Sequence, residues 1–188
     1  MEKLKKVWIK AVKLAGWKFI LPEKGTIPEL ESCVFVVAPH TSWLDFVVGA
    51  PYLWSCCSNG KVFIKKEFFR WPLGKLLRWL GGISVDRGNR HNDMVGTVVR
   101  KFAEGGPFSI AITPEGTRKG TRGWKRGAWV IAHLAGKPMV ITYIDYKKKE
   151  IGISAVIWPS DDYEADLKKI RSFYHKEMAK HPDCFIES

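Results

Sequence analysis

Six short apolar runs alternate with stretches of helical periodicity, and that alternation limits the fold of this chain more than any other feature. The runs lie at 33–38, 61–65, 83–86, 108–112, 138–145 and 151–157. Cys33-Val34-Phe35-Val36-Val37-Ala38 is representative: short, uncharged and rich in β-branched residues, as a buried strand is. Helices are predicted over 43–54, 73–80, 91–104, 125–135 and 162–180. Strands and helices in alternation predict an α/β fold, a single domain with a mainly parallel mixed sheet flanked by helices. The 188 residues suffice for one sizeable core, and no repeat, low-complexity tract or linker divides them. Asn89 or Asn92 is placed to cap the helix over 91–104, and Asp161 to cap the last one.

The N-terminal segment, residues 1–21, reads as an amphipathic helix over 2–20. Lys3, Lys6, Lys10 and Lys13 recur at spacings of three and four and form one basic stripe. Leu4, Val7, Trp8, Ala11, Val12, Leu14 and Ala15 fill the other side. Such a helix either docks on its own domain or lies among the headgroups of an anionic membrane, and the two are compatible. No apolar stretch reaches the ~18–20 residues of a membrane span. The longest uncharged run, 46–60, is interrupted by Pro51, Ser55, Ser58 and Asn59. Lys10, Lys13 and Lys18 break any signal-peptide core.

Lys and Arg number 31 against 19 acids, a formal net charge of +12. That surface attracts phosphates of nucleic acid, anionic lipid or a coenzyme, and acidic carrier proteins, and charge alone does not choose among them. The chain shows no nucleic-acid-binding motif, so nucleic acid is not an expected partner. Cys33, Cys56, Cys57 and Cys184 form no CxxC and read as reduced thiols. His91, His133, His175 and His181 have no ligand spacing, so no metal is expected.

Chemistry concentrates where the apolar runs end. His40-Thr41-Ser42-Trp43-Leu44-Asp45 follows the first run and sets an imidazole and a carboxylate five positions apart. Open α/β sheets bind ligands at strand ends. A histidine held by a carboxylate takes a proton from a hydroxyl near neutral pH. No glycine-framed serine accompanies the pair, which points to a base acting on a substrate hydroxyl. A second reading fits the same residues, because Ser42-Trp43-Leu44-Asp45 has the form of a capping box. A first-turn carboxylate also lies close to the residues before the cap, so both can hold.

Thr113-Pro114-Glu115-Gly116-Thr117-Arg118 follows the run at 108–112. Gly116 permits a turn that most residues resist, and Arg118 offers a fork suited to phosphate or carboxylate. Lys119, Arg122, Lys125 and Arg126 crowd the same loop, which also fits a plain solvated basic loop. Gly81 through Arg87, preceded by Lys65 and Lys66, carries Asp86 and Arg87 to a third strand end. An ion pair between those two neighbours, or a turn at Gly88-Asn89, is the structural alternative.

Three such segments in this order resemble the glycerolipid acyltransferase family, the lysophosphatidic-acid-acyltransferase-like (PlsC-like) enzymes with an H-x4-D motif. His40 and Asp45 match that motif. Phe68 through Arg87, with Pro72, Gly74, Gly82, Ile83, Asp86 and Arg87, resembles the second block. Pro114-Glu115-Gly116-Thr117-Arg118 matches the third, with Lys125, Gly127 and Ala132 at similar offsets. Gly136-Lys137-Pro138-Met139-Val140 resembles the fourth, so the motif-bearing core spans 30–145. Pro39 and Lys119 depart from the residues common at those places in the family.

The resemblance implies an O-acyltransferase that moves a fatty acyl group from a thioester donor, acyl-CoA or acyl-ACP, to a lysolipid hydroxyl in membrane lipid synthesis. The first acceptor it suggests is 1-acylglycerol-3-phosphate. It implies His40 as base and Asp45 as the residue that orients it. Arg87, Arg118, Lys65, Glu115, Gly116 and Thr117 would bind substrate. No cofactor is expected beyond the acyl donor itself. The implied partners are an anionic membrane surface, a lysolipid and acyl carrier protein, and the implied location is cytoplasmic, peripheral on the inner face of the membrane. Alternatives are O-acylation of another lysolipid such as an acylated amino-acid lipid, thioester hydrolysis, and a non-catalytic basic anion-binding module.

Overall fold

The structure, a computed structural model, describes residues 2–23, 27–69, 73–85 and 93–187. Asp86, Arg87, Asn89 and Asn92 lie outside the described residues, as does the side chain of Lys65. Seven strands among the described residues form one sheet: β1 Lys18–Ile20, β2 Val34–Ala38, β3 Gly60–Lys65, β4 Gly82–Val85, β5 Ser109–Ile112, β6 Met139–Asp145 and β7 Glu150–Ile157. Their order across the sheet is β1-β7-β6-β2-β5-β3-β4. β6, β2, β5, β3 and β4 run parallel to their neighbours, β7 is antiparallel to β6, and β1 is parallel to β7. The helices are α1 Glu2–Leu14, α2 Leu44–Cys56, α3 Leu73–Trp79, α4 Met94–Ala103, α5 Gly127–Ala135 and α6 Tyr163–Arg171.

Alternate side chains of the central strand β2 explain its uniformly apolar sequence. Val34 and Val36 enter one core with Ile110, Ile131, Ala132 and Ile141, while Phe35 enters the other with Leu53 and Val140. A strand covered on both faces needs apolar residues at every position. α2 and α1 cover one side. Val12 of α1 and Val48 and Tyr52 of α2 pack with Ile144 and Ile151.

α1 is pinned to α2 through a proline. Pro51 inside α2 has no N–H, so the Val47 carbonyl four residues earlier loses its helical donor. The indole Nε1–H of Trp8 donates to that carbonyl at 3.1 Å. A partly buried acceptor is thus satisfied by the neighbouring helix.

Two helices are shorter than their sequence pattern predicts. α1 stops at Leu14 instead of continuing to 20. Gly16 takes φ +90°, its N–H donates to the Lys13 carbonyl, and the Trp17 N–H donates to the Val12 carbonyl. This pair of bonds is a Schellman stop. Residues 18–20 then find backbone partners on β7, and the Tyr52 hydroxyl donates to the Ile20 carbonyl at 2.9 Å. α6 ends at Arg171, not 180. Buried Tyr174 draws the chain back to the sheet, its hydroxyl shared between the Val36 and Thr142 carbonyls. Asp162, not Asp161, caps α6 by accepting from the Glu164 and Ala165 N–H groups. Asp93 caps α4 through the Gly96 N–H.

Candidate active site

β6, β2 and β5 are parallel and adjacent, so the residues that follow them emerge side by side at one sheet edge. Those residues are Tyr146 after β6, His40 to Asp45 after β2, and Thr113 to Arg118 after β5. Lys65 ends β3 at the same edge, one strand further out. Topology thus collects at one place what the sequence spreads over more than a hundred positions.

At the centre is Asp45, in the first turn of α2, its side chain only 4% exposed. Its Oδ2 accepts from His40 Nδ1 at 2.9 Å and from the Thr41 and Ser42 N–H groups at 3.0 and 2.9 Å. Its Oδ1 accepts from the Tyr146 hydroxyl at 2.6 Å. Four donors on one buried carboxylate compensate its loss of hydration. Ser42 Oγ in turn accepts from the Leu44 N–H at 3.2 Å. The cap and the dyad suggested by the sequence are therefore one structure, because Asp45 closes the helix start and holds the imidazole together. With Nδ1–H donating to the carboxylate, the network assigns the lone pair to Nε2.

The loop after β5 fixes the histidine from the other side. Glu115 is buried, and its Oε1 accepts from the His40 N–H at 2.7 Å. Its Oε2 is buried without a hydrogen-bond partner among the described residues. Burial raises the Glu115 carboxyl above its ordinary pKa, partly opposed by the bond from the His40 N–H. Gly116 sits at φ +62°, where a Cβ would fall 2.7 Å from Lys125 Cε. The positive φ favours glycine at this turn, while the flexible end of Lys125 can move aside. The Gly116 N–H donates back to the Thr113 carbonyl at 3.2 Å.

Arg118 comes to the same place. It lines a groove of about 560 Å³ together with Thr117, Lys119, Lys180 and His181, and with Thr41 to Leu44 of the histidine loop. Arg118, Thr117, Glu115 and Gly116 thus join the His40–Asp45 pair in one constellation. Arg87 belongs to the segment outside the described residues.

Comparison with known proteins fits this geometry. The profile of the Acyltransferase family matches residues 21–145. The chain belongs to the Acyltransferase family. Among solved structures it is similar to the crystal structure of PlsC, the 1-acyl-sn-glycerophosphate (LPA) acyltransferase from Thermotoga maritima. The TM-score is 0.64 and the identity 19%, over 92% of this chain and 75% of that one. At that identity the likeness is one of fold. No curated protein matches the chain by sequence.

In this acyltransferase several site residues escape sequence reasoning. Tyr146 stands 101 positions from Asp45 and carries no motif of its own. The signal that finds it is positional, since it is the first residue beyond a strand adjacent to β2. The Tyr146 ring meets Trp17 edge-on at 5.0 Å, and its N–H donates to the Met178 carbonyl. Burial, then the Asp45 charge, push its phenol well above the ordinary range, so it stays a neutral donor. The C-terminal segment also borders the site, with the His181 N–H donating to Thr41 Oγ1 at 3.2 Å. Among the described residues no three His, Cys, Asp or Glu side chains converge as a metal site requires.

Proposed function

We propose that this acyltransferase transfers a fatty acyl group from a thioester to the hydroxyl of a lysolipid, 1-acylglycerol-3-phosphate being the acceptor that best suits the site. The observation that carries the reading is the His40–Asp45 pair, 2.9 Å apart, beside a groove that presents Arg118. His40 Nε2 takes the acceptor's hydroxyl proton as its oxygen attacks the thioester carbonyl. The tetrahedral intermediate collapses by breaking the C–S bond, and the imidazolium returns the proton to the departing thiolate. Asp45 keeps the ring in the required tautomer and stabilises its transient positive charge. General-base help of this kind is worth about 10²–10⁴ in rate. Positioning of the two substrates and stabilisation of the oxyanion supply the rest.

Arg118 and Lys119 supply the charge that an acceptor's phosphate needs, and Arg118 can meet it with two parallel N–H donors. Glu115 positions the base, because its Oε1 is engaged with the His40 backbone, and its second oxygen remains available to the acceptor's polar head. Both acyl-CoA and acyl-ACP are compatible donors for so basic a surface.

The acceptor's acyl chain partitions into membranes, and α1 supports a peripheral attachment to anionic lipid. Its apolar residues do not all dock: Trp8 and Val12 pack inward, while Leu4, Val7 and Leu14 are 50%, 62% and 78% exposed. Lys3, Lys6, Lys10 and Lys13 lie exposed on the same helix. Outward apolar residues flanked by lysines suit an anionic lipid interface. No helix among the described residues is long and apolar enough to cross a membrane.

A transfer assay tests the function. Acyl-CoA and acyl-ACP are each offered with 1-acylglycerol-3-phosphate, neutral lysolipids and an acylated amino-acid lipid. The reading predicts diacyl product with the phosphate-bearing acceptor. Release of free fatty acid without any acceptor requirement would replace transfer by hydrolysis.

A further inference from the structure

Two grooves open at the site's edge of the sheet, and they share Leu44 and Lys180. The groove with Arg118 serves the acceptor in the proposed reaction. The other, of about 540 Å³, lies between Trp17, the β6–β7 turn and the C-terminal segment, apart from Arg118 and the acceptor's path. Its walls carry Lys147, Lys149 and Lys180 against Glu177, three positive groups to one negative, a local excess of two. Trp17 and Tyr146 form its apolar side and are fixed edge-to-face at 5.0 Å. Lys180 Nζ lies 5.6 Å from the Tyr146 ring centroid. The same Tyr146 donates to Asp45, so this groove abuts the dyad directly.

A two-substrate transferase must hold both reactants so that their atoms meet at one base. The two grooves flank the Leu44 corner of the histidine loop, and each carries cations the other lacks, Lys147 and Lys149 in one and Arg118 and Lys119 in the other. We infer that the groove of Trp17, Tyr146, Lys147, Lys149 and Lys180 binds the donor's phosphopantetheine handle, the part that coenzyme A and acyl carrier protein have in common. The inference rests on the acyl transfer proposed above. The lysines would meet the phosphate, and the aromatic side would line the path of the pantetheine arm towards His40. A thioester entering here approaches the dyad from the β6 side, while the acceptor approaches from the β5 side.

Titration calorimetry tests this without turnover. The ligands are free coenzyme A, 4′-phosphopantetheine and pantetheine. The proteins are the wild type, Lys147→Glu, Lys147→Glu/Lys149→Glu and Arg118→Ala. The double variant should weaken coenzyme A and 4′-phosphopantetheine alike, by about tenfold or more at low salt, and less at high salt. Pantetheine should bind wild type and variants equally, and Arg118→Ala should leave coenzyme A affinity within about twofold, as expected of separate sites. Lys149 Nζ also donates to the Ala15 carbonyl, so the exposed single variant Lys147→Glu keeps the test valid if the double variant loosens α1. Unchanged coenzyme A affinity in both variants overturns the proposal. So does a loss confined to coenzyme A, which would put the lysines on nucleotide phosphates. A loss confined to binding of anionic phosphatidylglycerol vesicles likewise overturns it, in favour of a headgroup site. Coenzyme binding without transfer to any lysolipid would instead refute the proposed function and leave the groove standing.

Discussion

Replacing Tyr146 by phenylalanine tests how far the site depends on more than a histidine and an aspartate. The change keeps the ring, its edge-on contact with Trp17 and the backbone bond to Met178, and deletes only the hydroxyl. Asp45 Oδ1 then loses the donor that stands 2.6 Å away, while Oδ2 keeps its three. A hydrogen bond to a charged group is worth about 1.5–3 kcal/mol, and a buried acceptor left unpaired costs about 1–3 kcal/mol. The variant should therefore be less stable by about 1–3 kcal/mol in urea denaturation. The lower end of the charged-bond range predicts a loss in kcat/KM of about tenfold, since each 1.36 kcal/mol is a factor of ten in rate. Transfer kinetics separate positioning from mere packing. A base held off its line lowers kcat and leaves the acceptor's binding untouched. Unchanged kcat/KM, in a protein that is nonetheless destabilised, would leave Tyr146 as core alone and refute its positioning role.

Glu115→Gln should preserve the acceptor for the His40 N–H and retain most activity, whereas Glu115→Ala leaves that N–H unpaired and should cost about 1–3 kcal/mol of stability in a denaturation curve. Because burial raises the Glu115 carboxyl from an ordinary value of 4.5, its contribution to stability is full below that value and is lost as pH rises through the folded-state value. Wild type should therefore lose stability from this group as pH climbs above 4.5, and Glu115→Gln should flatten that part of the stability profile. Arg118→Ala should raise the acceptor's KM by about tenfold or more with little change in kcat, as loss of uniform binding does; an unchanged KM would remove Arg118 from the acceptor site. Reversing Lys3, Lys6, Lys10 and Lys13 to Glu should abolish sedimentation with anionic vesicles at low salt while leaving transfer to detergent-dispersed acceptor intact.

The sequence carried the frame of this fold and half of the site. Strands show as short apolar runs because β2, β6 and their neighbours are covered on both faces, so their expected limits differ from the observed ones by only a residue or so. The strand 18–20 was hidden, since a three-residue edge strand is defined by its partner β7 and not by its own pattern. The end of α6 was hidden for a similar reason, as the pull of Tyr174 towards Val36 and Thr142 is a contact across 138 and 32 positions. His40, Asp45, Glu115 and Arg118 were legible because each follows an apolar run at a predicted strand end. Two things were not: that Glu115 grips the His40 backbone, and that Tyr146 completes the Asp45 shell. Both depend on the spatial order β6-β2-β5, which the order of elements along the chain does not reveal.

The proposed reaction depends on His40, held by Asp45, as the base for acyl transfer. The transfer rate of purified His40→Ala beside wild type tests this, with the thioester donor and 1-acylglycerol-3-phosphate, after circular dichroism and thermal melting have shown both proteins folded. kcat should fall at least about a hundredfold, the lower bound for loss of a general base. A folded His40→Ala protein that keeps more than about a tenth of the wild-type rate would contradict it.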